Sequence, residues 1–377
     1  MGEHANLEKY KNAEYVAHLS KAIKAVSASL GTVKLMHVCG THEHEIARHG
    51  IRQFLPPTIQ IIPGPGCPVC ICPVESIDQA ITLAYQPNTT VLTFGDMVRV
   101  PASHESLEDA RRNGGSVKMV YSALDAVNLA RENPNSTFVF FSIGFETTVV
   151  GIAGMIKTGI PKNLYVLLAN RYMPPVLKLL MDVHDESIQG FLLAGHAATI
   201  TGLHAYDFME DEFQLPCVAT GFEPVDILLG IFECLKLIKN KEPRIVNAYP
   251  RAVNEHGNTV ALQLIEDVFE RKPGIWRGID IVDDSAFRIK EEYSFLDAEK
   301  QLDCTPPYPP RSHPPGCDCH RIMLGELLPT NCKMFTKTCT PSNPYGPCMV
   351  SPEGTCHTWF KHGSGKISLT HTAAHTI

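Results

Sequence analysis

The sequence predicts an α/β protein: two similar parallel-sheet domains, then a C-terminal segment of loops and short helices built around cysteine. Three observations carry this expectation. Short apolar runs rich in β-branched and aromatic residues recur along the chain, several of them separated by helical patterns. Nearly every run ends in glycine, proline or small polar residues. Seven of the 13 cysteines fall between Cys304 and Cys356, a stretch that also holds 11 of the 28 prolines.

The runs at 33–38, 58–62, 90–94 and 117–120 form one series, and those at 137–142, 164–169, 190–194 and 217–219 a second. Helical patterns lie at 75–85, 122–132 and 225–239. Apolar runs separated by helices indicate strands buried on both faces in βαβ units, hence parallel sheets. Two series suggest domains at 1–120 and 121–245. Near residue 300 the composition shifts, and PPYPPRSHPP at 306–315 removes backbone donors and fixes φ, so that region is neither long helix nor central strand. A cysteine-rich domain at 246–362 and a small, polar, mobile tail at 363–377 complete the expected organisation. In open α/β sheets ligands bind outside the carboxyl ends of the strands. The chemistry is therefore expected on the loops CGTHEH, PGPGCPVC, FGD, SIGFETT, AGHAAT and TGFEP.

Composition narrows the function classes. Apolar residues make up 44% and charged residues 19%, which excludes wholesale disorder. A net charge of −7 argues against a nucleic-acid-coating surface. No uncharged apolar run reaches ~18 residues, so no membrane partner or span is expected. The first twenty residues lack an apolar signal core, and a cytoplasmic location is expected. In that setting 13 cysteines point to metal or redox chemistry rather than a disulfide framework, and the odd count leaves at least one thiol unpaired.

Cys39 stands at a strand end, followed by glycine and by His42, Glu43 and His44. A strand-to-helix turn sets the sulfur near helix N-terminal amides, which favour thiolate, the nucleophile and soft-metal ligand. A buried structural cysteine with three solvent-facing polar neighbours is the competing reading. Cys67-Pro68-Val69-Cys70 has the spacing of a redox dithiol, and the glycines and prolines before it force a tight loop. No second C-x-x-C follows at zinc-ribbon distance. Cys72 is a spare reductant or a small core residue. Glu146 in GFETT and Glu223 in GFEP supply a charge or base beside glycine, while Thr147 and Thr148 suit a helix start. Gly195-His196 and Gly95-Asp96 each place one polar group at a strand end. Walker A spacing is absent, so ATP binding has no warrant.

Cys317, Cys319, Cys332, Cys339, Cys348 and Cys356 offer more than the four thiolates of a [4Fe-4S] cluster. A four-cysteine zinc site is the structural alternative, but it usually shows two close cysteine pairs. After Cys319 the gaps are 13, 7, 9 and 8, with prolines beside several thiols, which favours a cluster wrapped by loops.

CGTHEH, PGPGCPVC, FGDMVRVP, GFETT, TGFEPVDIL and CTPSNPYGPCMVSPEGTC, in this order between residues 33 and 361, resemble the HypD family of [NiFe] hydrogenase maturation proteins. Departures are Val149-Val150 after GFETT, Cys72, and the Asn170-Arg171-Tyr172 segment. The resemblance implies a scaffold, rather than a conventional turnover enzyme, on which iron acquires two cyanides and one carbon monoxide. The implied partners are a HypC-like chaperone and a HypE-like cyanide donor. It further implies Cys39 as an iron ligand shared with the chaperone, His44 at the same centre, and Cys67/Cys70 as a closable dithiol. By likeness to ferredoxin:thioredoxin reductase, Cys317, Cys332, Cys339 and Cys356 would hold a [4Fe-4S] cluster beside an exchangeable Cys319/Cys348 pair. A relay would then run from cluster through both pairs to the Fe(CN)2CO centre at Cys39. Two other classes compete: a stand-alone thiol–disulfide oxidoreductase, and a zinc-stabilised binding protein.

Overall fold

The computed structural model describes residues 12–184, 187–311 and 314–363. Of the expected tail, 364–377 lies outside them. The described strands are β1 (Val33–His37), β2 (Ile59–Pro63), β3 (Thr89–Thr93), β4 (Val117–Met119), β5 (Thr137–Ser142), β6 (Leu164–Leu168), β7 (Gly190–Ala194), β8 (Cys217–Thr220), β9 (Ile245–Asn247), β10 (Phe269–Trp276) and β11 (Asp280–Ile289). The first eight coincide with the apolar runs to within about a residue at each end, as expected for β-branched segments buried on both faces.

Two all-parallel sheets form. One has the order β2-β1-β7-β8-β9, the other β4-β3-β5-β6. In the first, Leu35 pairs with Ile61 on one side and Gly190 on the other. In the second, Val91 lies between Val117 and Val139. The sheets are therefore not consecutive, and the division at residue 120 is corrected: β3–β6 form one sheet, and the chain then returns to complete the other. Strand spacing is the same along both series, so it carries no information about which strand β1 pairs with.

Residues 246–362 also differ from the expected loop domain. β10 and β11 make an antiparallel hairpin, and Phe269, Phe287 and Ile289 pack into one core with the helices Glu146–Thr158 and Thr259–Val268. Trp276 is fully buried and donates Nε1–H to Ser285 Oγ at 2.8 Å, so the indole polar atom is satisfied. The remaining loops have no core of their own. Cys319, Ile322, Cys348 and Met349 share a single buried cluster with Met36, Ile62, Phe141 and Leu193. The helix Thr355–His362 packs on the helix Gly40–Arg48. No described helix is long and apolar enough to cross a membrane.

Candidate thiol and metal centre

Sheet order β2-β1-β7-β8 brings four of the expected loops side by side. Cys39 follows β1 and is the N-cap of the helix Gly40–Arg48, with extended backbone (φ −147°, ψ 128°). Cys67 follows β2 and caps the short helix Pro68–Ile71, its sulfur accepting from the Cys70 amide at 3.2 Å. His196 opens the helix Gly195–Thr201 after β7, and Phe222 follows β8. A Cβ on Gly66 would lie 2.3 Å from the Cys39 Cα and nitrogen, so only glycine allows the PGPGCPVC loop to rest on the Cys39 backbone. The Gly40 amide donates to the Gly66 carbonyl at 3.1 Å across the same contact.

The Cys39 sulfur is buried, 3.9 Å from His196 Nδ1, and packs with Ala194, Ala197 and the half-buried Phe222. Burial pushes its thiol up to about 12; backbone amides at His42 and Thr41 pull the other way, and Glu353 adds to the rise. Cys39 is thus a protonated thiol at neutral pH, and a metal would have to displace that proton to bind the sulfur. His196 is held low by burial, so it stays a neutral imidazole with a lone pair to offer.

The polar residues after Cys39 are not solvent-facing bases. Burial would raise the Glu43 carboxyl, but Arg52 and His37 overcome it and hold it at about 2. Arg52 donates to both Glu43 oxygens (3.0 and 2.7 Å), His37 Nε2 lies 2.7 Å from Oε2, and Trp359 Nε1–H donates to Oε1. His42 is lowered to about 3 by burial and bonds the Gly221 carbonyl at 3.0 Å. The His44 ring stands edge-on to His362, centroids 5.1 Å apart. The ring facing the Cys39 sulfur is His196, which adjacency in sequence did not single out; its only sequence signal is the Gly-His pair at a strand end.

Cys67 and Cys70 are joined in a disulfide, Cα to Cα 5.3 Å, with Cys70 fully buried. Cys72 is a buried thiol pushed up to about 12 by burial, with Arg171 and Arg277 opposing the rise. Glu146 begins the helix after β5. Its Oε1 accepts from the Met173 amide at 2.6 Å, and burial raises the carboxyl to about 7. Glu146 Oε2, Ser142 Oγ and both Asn170 side-chain atoms are buried without a hydrogen-bond partner in the structure. Three unsatisfied polar groups at the ends of β5 and β6 are expensive unless a polar ligand completes them.

The Pro68–Ile71 helix packs against the turn Pro347–Met349 that carries Cys348. Cys317 and Cys319 sulfurs are 3.2 Å apart. Hydrogen bonds with Cys319 and Cys356 hold Cys348 well below its ordinary value, while those with Cys319 and Cys348 push Cys356 up. Backbone amides of Cys356 and Tyr345 donate to the sulfurs of Cys348 (3.3 Å) and Cys339 (3.4 Å). Cys332 is half-buried against the same core. These sulfurs do not form a compact four-ligand set among the described residues.

The surroundings nevertheless fit a thiolate-bound cluster. A Cβ on Gly346 would lie 2.5 Å from Cys317 Sγ and 2.6 Å from Cys319 Sγ, so this position is glycine where sulfurs crowd. Arg277 is buried and lines the cavity with Cys317 and Cys319. Its Nη1 has no hydrogen-bond partner in the structure, while Nη2 donates to the Pro101 carbonyl at 2.8 Å and its backbone amide to the Ile71 carbonyl at 2.9 Å. An unsatisfied buried guanidinium beside neutral thiols is costly; beside an anionic cluster it is compensated.

A sequence-family model described as HypD, hydrogenase formation hypA family, matches residues 14–363. A putative hydrogenase expression/formation protein of Methanocaldococcus jannaschii is 40% identical, the match covering 90% of this chain and 95% of that protein. Hydrogenase maturation factor HypD of Rhodobacter capsulatus is 38% identical (94% and 95% covered), and that of Escherichia coli K12 is 34% identical (94% and 97%). A match running almost end to end in both partners shows that the chain belongs to the HypD family of hydrogenase maturation proteins.

Proposed function

We propose that this protein is a scaffold for building the Fe(CN)2CO unit of [NiFe] hydrogenases. Cys39 gives up its proton and holds the iron jointly with a cysteine of a HypC-like chaperone, and His196 faces the same sulfur. The family resemblance also implies His44 at this centre, but its ring here stands against His362. Cyanide groups arrive from a HypE-like partner. Cys317, Cys332, Cys339 and Cys356 hold a [4Fe-4S] cluster, which when bound supplies single electrons from an external donor.

The chain's own thiols carry out the exchange. The Cys319/Cys348 dithiol attacks the Cys67–Cys70 disulfide. Two electrons and two protons pass to Cys67 and Cys70, and a Cys319–Cys348 disulfide forms. The observation that carries this reading is the succession of contacts: Pro347–Met349 on Pro68–Ile71, and Gly66 on Cys39. Burial of Cys70 disfavours the stand-alone oxidoreductase, because a protein substrate must reach the disulfide.

The test is anaerobic co-purification with HypC-like chaperones followed by infrared spectroscopy. The wild-type complex is expected to show iron-bound cyanide and carbonyl bands. Cys67→Ala is expected to keep cluster absorbance and lose those bands; normal bands in that variant would sink the relay.

A further inference from the structure

His204, Glu255 and His256 meet on the surface. Their ligand atoms all lie within 4.8 Å of one another. The meeting is built by the backbone. Gly202 (φ +75°) and Gly257 (φ +66°) cross so closely that a Cβ on the first would lie 2.4 Å from the Glu255 carbonyl, and on the second 2.3 Å from the Ile200 carbonyl. The Leu203 amide donates to the Glu255 carbonyl at 2.9 Å and the Asn258 amide to that of Ile200 at 3.1 Å. Two segments fifty residues apart are thereby locked in the register that sets His204 opposite Glu255 and His256, ring centroids of the histidines 5.2 Å apart.

The histidine at the centre is also oriented. His204 Nδ1 lies 3.0 Å from Asp207 Oδ2. With Nδ1–H donated to the carboxylate, Nε2 is left as an unprotonated lone pair, the arrangement that commonly stands behind metal-bound imidazoles. Asp207 belongs to the helix Asp207–Asp211 that begins directly after the turn carrying His204.

We propose that His204, Glu255 and His256 bind a divalent first-row transition ion, with Asp207 orienting His204. Two imidazoles and one carboxylate select zinc, cobalt, nickel or iron(II) over calcium and magnesium, which prefer all-oxygen sets. Three protein ligands on an exposed face leave coordination positions for water or an exchanging ligand. Binding draws the three atoms inward to the ~2.1 Å bonds of such ions, and exposed side chains accommodate that by rotation. The site lies at the end of the helix Gly195–Thr201 opposite His196. It is a nitrogen–oxygen site separate from the sulfur centre, and the inference does not rest on the maturation reading.

The probe is Co2+ added anaerobically to the full-length protein, read by equilibrium dialysis and by absorption spectroscopy. Thiolate-bound cobalt gives intense sulfur-to-metal charge transfer; this site gives only weak d–d bands. One ion of the second kind is expected with micromolar affinity, lost in the His204→Ala/His256→Ala double variant. Asp207→Asn keeps all three ligands and is expected to weaken binding at least roughly tenfold. Circular dichroism and the melting temperature are expected to stay at wild-type values in both. Unchanged cobalt stoichiometry in the double variant, millimolar or weaker binding by the wild type, or thiolate bands alone would each overturn the proposal.

Discussion

Arg52→Met tests whether the Glu43 network holds the Cys39 helix in place. Arg52 and Glu43 are both almost inaccessible, 5% and 1% exposed at their side chains. Arg52 also donates to the Ile61 carbonyl and stacks on Trp359, its guanidinium carbon 5.6 Å from the ring centre. Removing it leaves a buried carboxylate with His37 and Trp359 alone. A carboxyl held at about 2 instead of the ordinary 4.5 corresponds to roughly 3 kcal/mol, at about 1.36 kcal/mol per pH unit. Breaking a buried ion pair by removing one partner costs ~3–5 kcal/mol in general, which agrees. For a chain of 377 residues unfolding as one unit, the unfolding entropy of ~2.1 cal/mol/K per residue converts 3 kcal/mol to a melting temperature about 4 °C lower. The sign with pH is fixed too. A depressed carboxyl stabilises above its unfolded value of 4.5 and loses that contribution as pH falls towards 2, so the gap between wild type and variant must narrow below about pH 4.5. Glu43→Leu/Arg52→Met, which removes both charges, is expected to recover much of the loss. The assay is thermal unfolding followed by circular dichroism. A single variant melting within about 1 °C of wild type, or a double variant worse than the single, would refute the network's role.

Three further outcomes follow from the site. With its thiol at about 12, Cys39 in the iron-free protein is expected to react with iodoacetamide at pH 7.5 on the order of a thousandfold more slowly than an exposed cysteine, read by peptide mass spectrometry; alkylation at the exposed rate would contradict its burial. Glu146 is expected to show a protonated-carboxyl infrared band that disappears around pH 7 and is missing in Glu146→Gln. Because its folded value lies above the unfolded one, its contribution is full below about 4.5 and declines by ~3 kcal/mol as pH rises through 7, a slope the variant should flatten. Arg277→Met removes the buried cation beside Cys317 and Cys319 and is expected to make the reduction potential of the proposed cluster more negative, by about 60 mV for each ~1.4 kcal/mol of lost attraction in a one-electron couple. A redox titration matching wild type would assign Arg277 to packing alone.

Strand positions were readable because β-branched runs with turn residues behind them have few other uses, and β1 to β8 lie where the runs fall. Strand partners were not. Leu35 contacts Gly190 through a pairing 155 residues long in sequence, and nothing in either run names the other. β9 is only three residues, all half-buried, and β10 contributes its short pattern to a hairpin hidden behind the cysteine signal. At the site, Cys39 and the Cys67-x-x-Cys70 motif carry their chemistry in their spacing. The histidine partner does not: successive residues of the helix after Cys39 point about 100° apart, so His42 turns inward to Gly221 and His44 towards His362, while the helix after the neighbouring strand β7 supplies His196. Arg277 had no motif at all, since its meaning comes from what surrounds it.

The cysteine-rich segment explains why the two sheets and the loops behave as one object. Proline-heavy loops bury too little apolar area to stand alone, so Cys319 and Cys348 complete a core begun by Met36 and Phe141. That shared core has a chemical consequence. Cys70 and Cys348 are fully buried on elements that pack together, so the exchange proposed between them would need no exposed intermediate and would compete poorly with outside thiols. The same burial that keeps the Cys39 thiol protonated would shield ligands on the proposed iron from water. Asp96, at the end of β3, accepts from Ser351 Oγ at 2.8 Å, and Glu353, two residues on, accepts from Thr41 Oγ1 beside Cys39 at 3.1 Å. A loop of the second sheet and the first turn of the Cys39 helix are therefore bridged by the C-terminal segment, so loss of order around Cys348 and Cys356 should loosen the Cys39 turn as well.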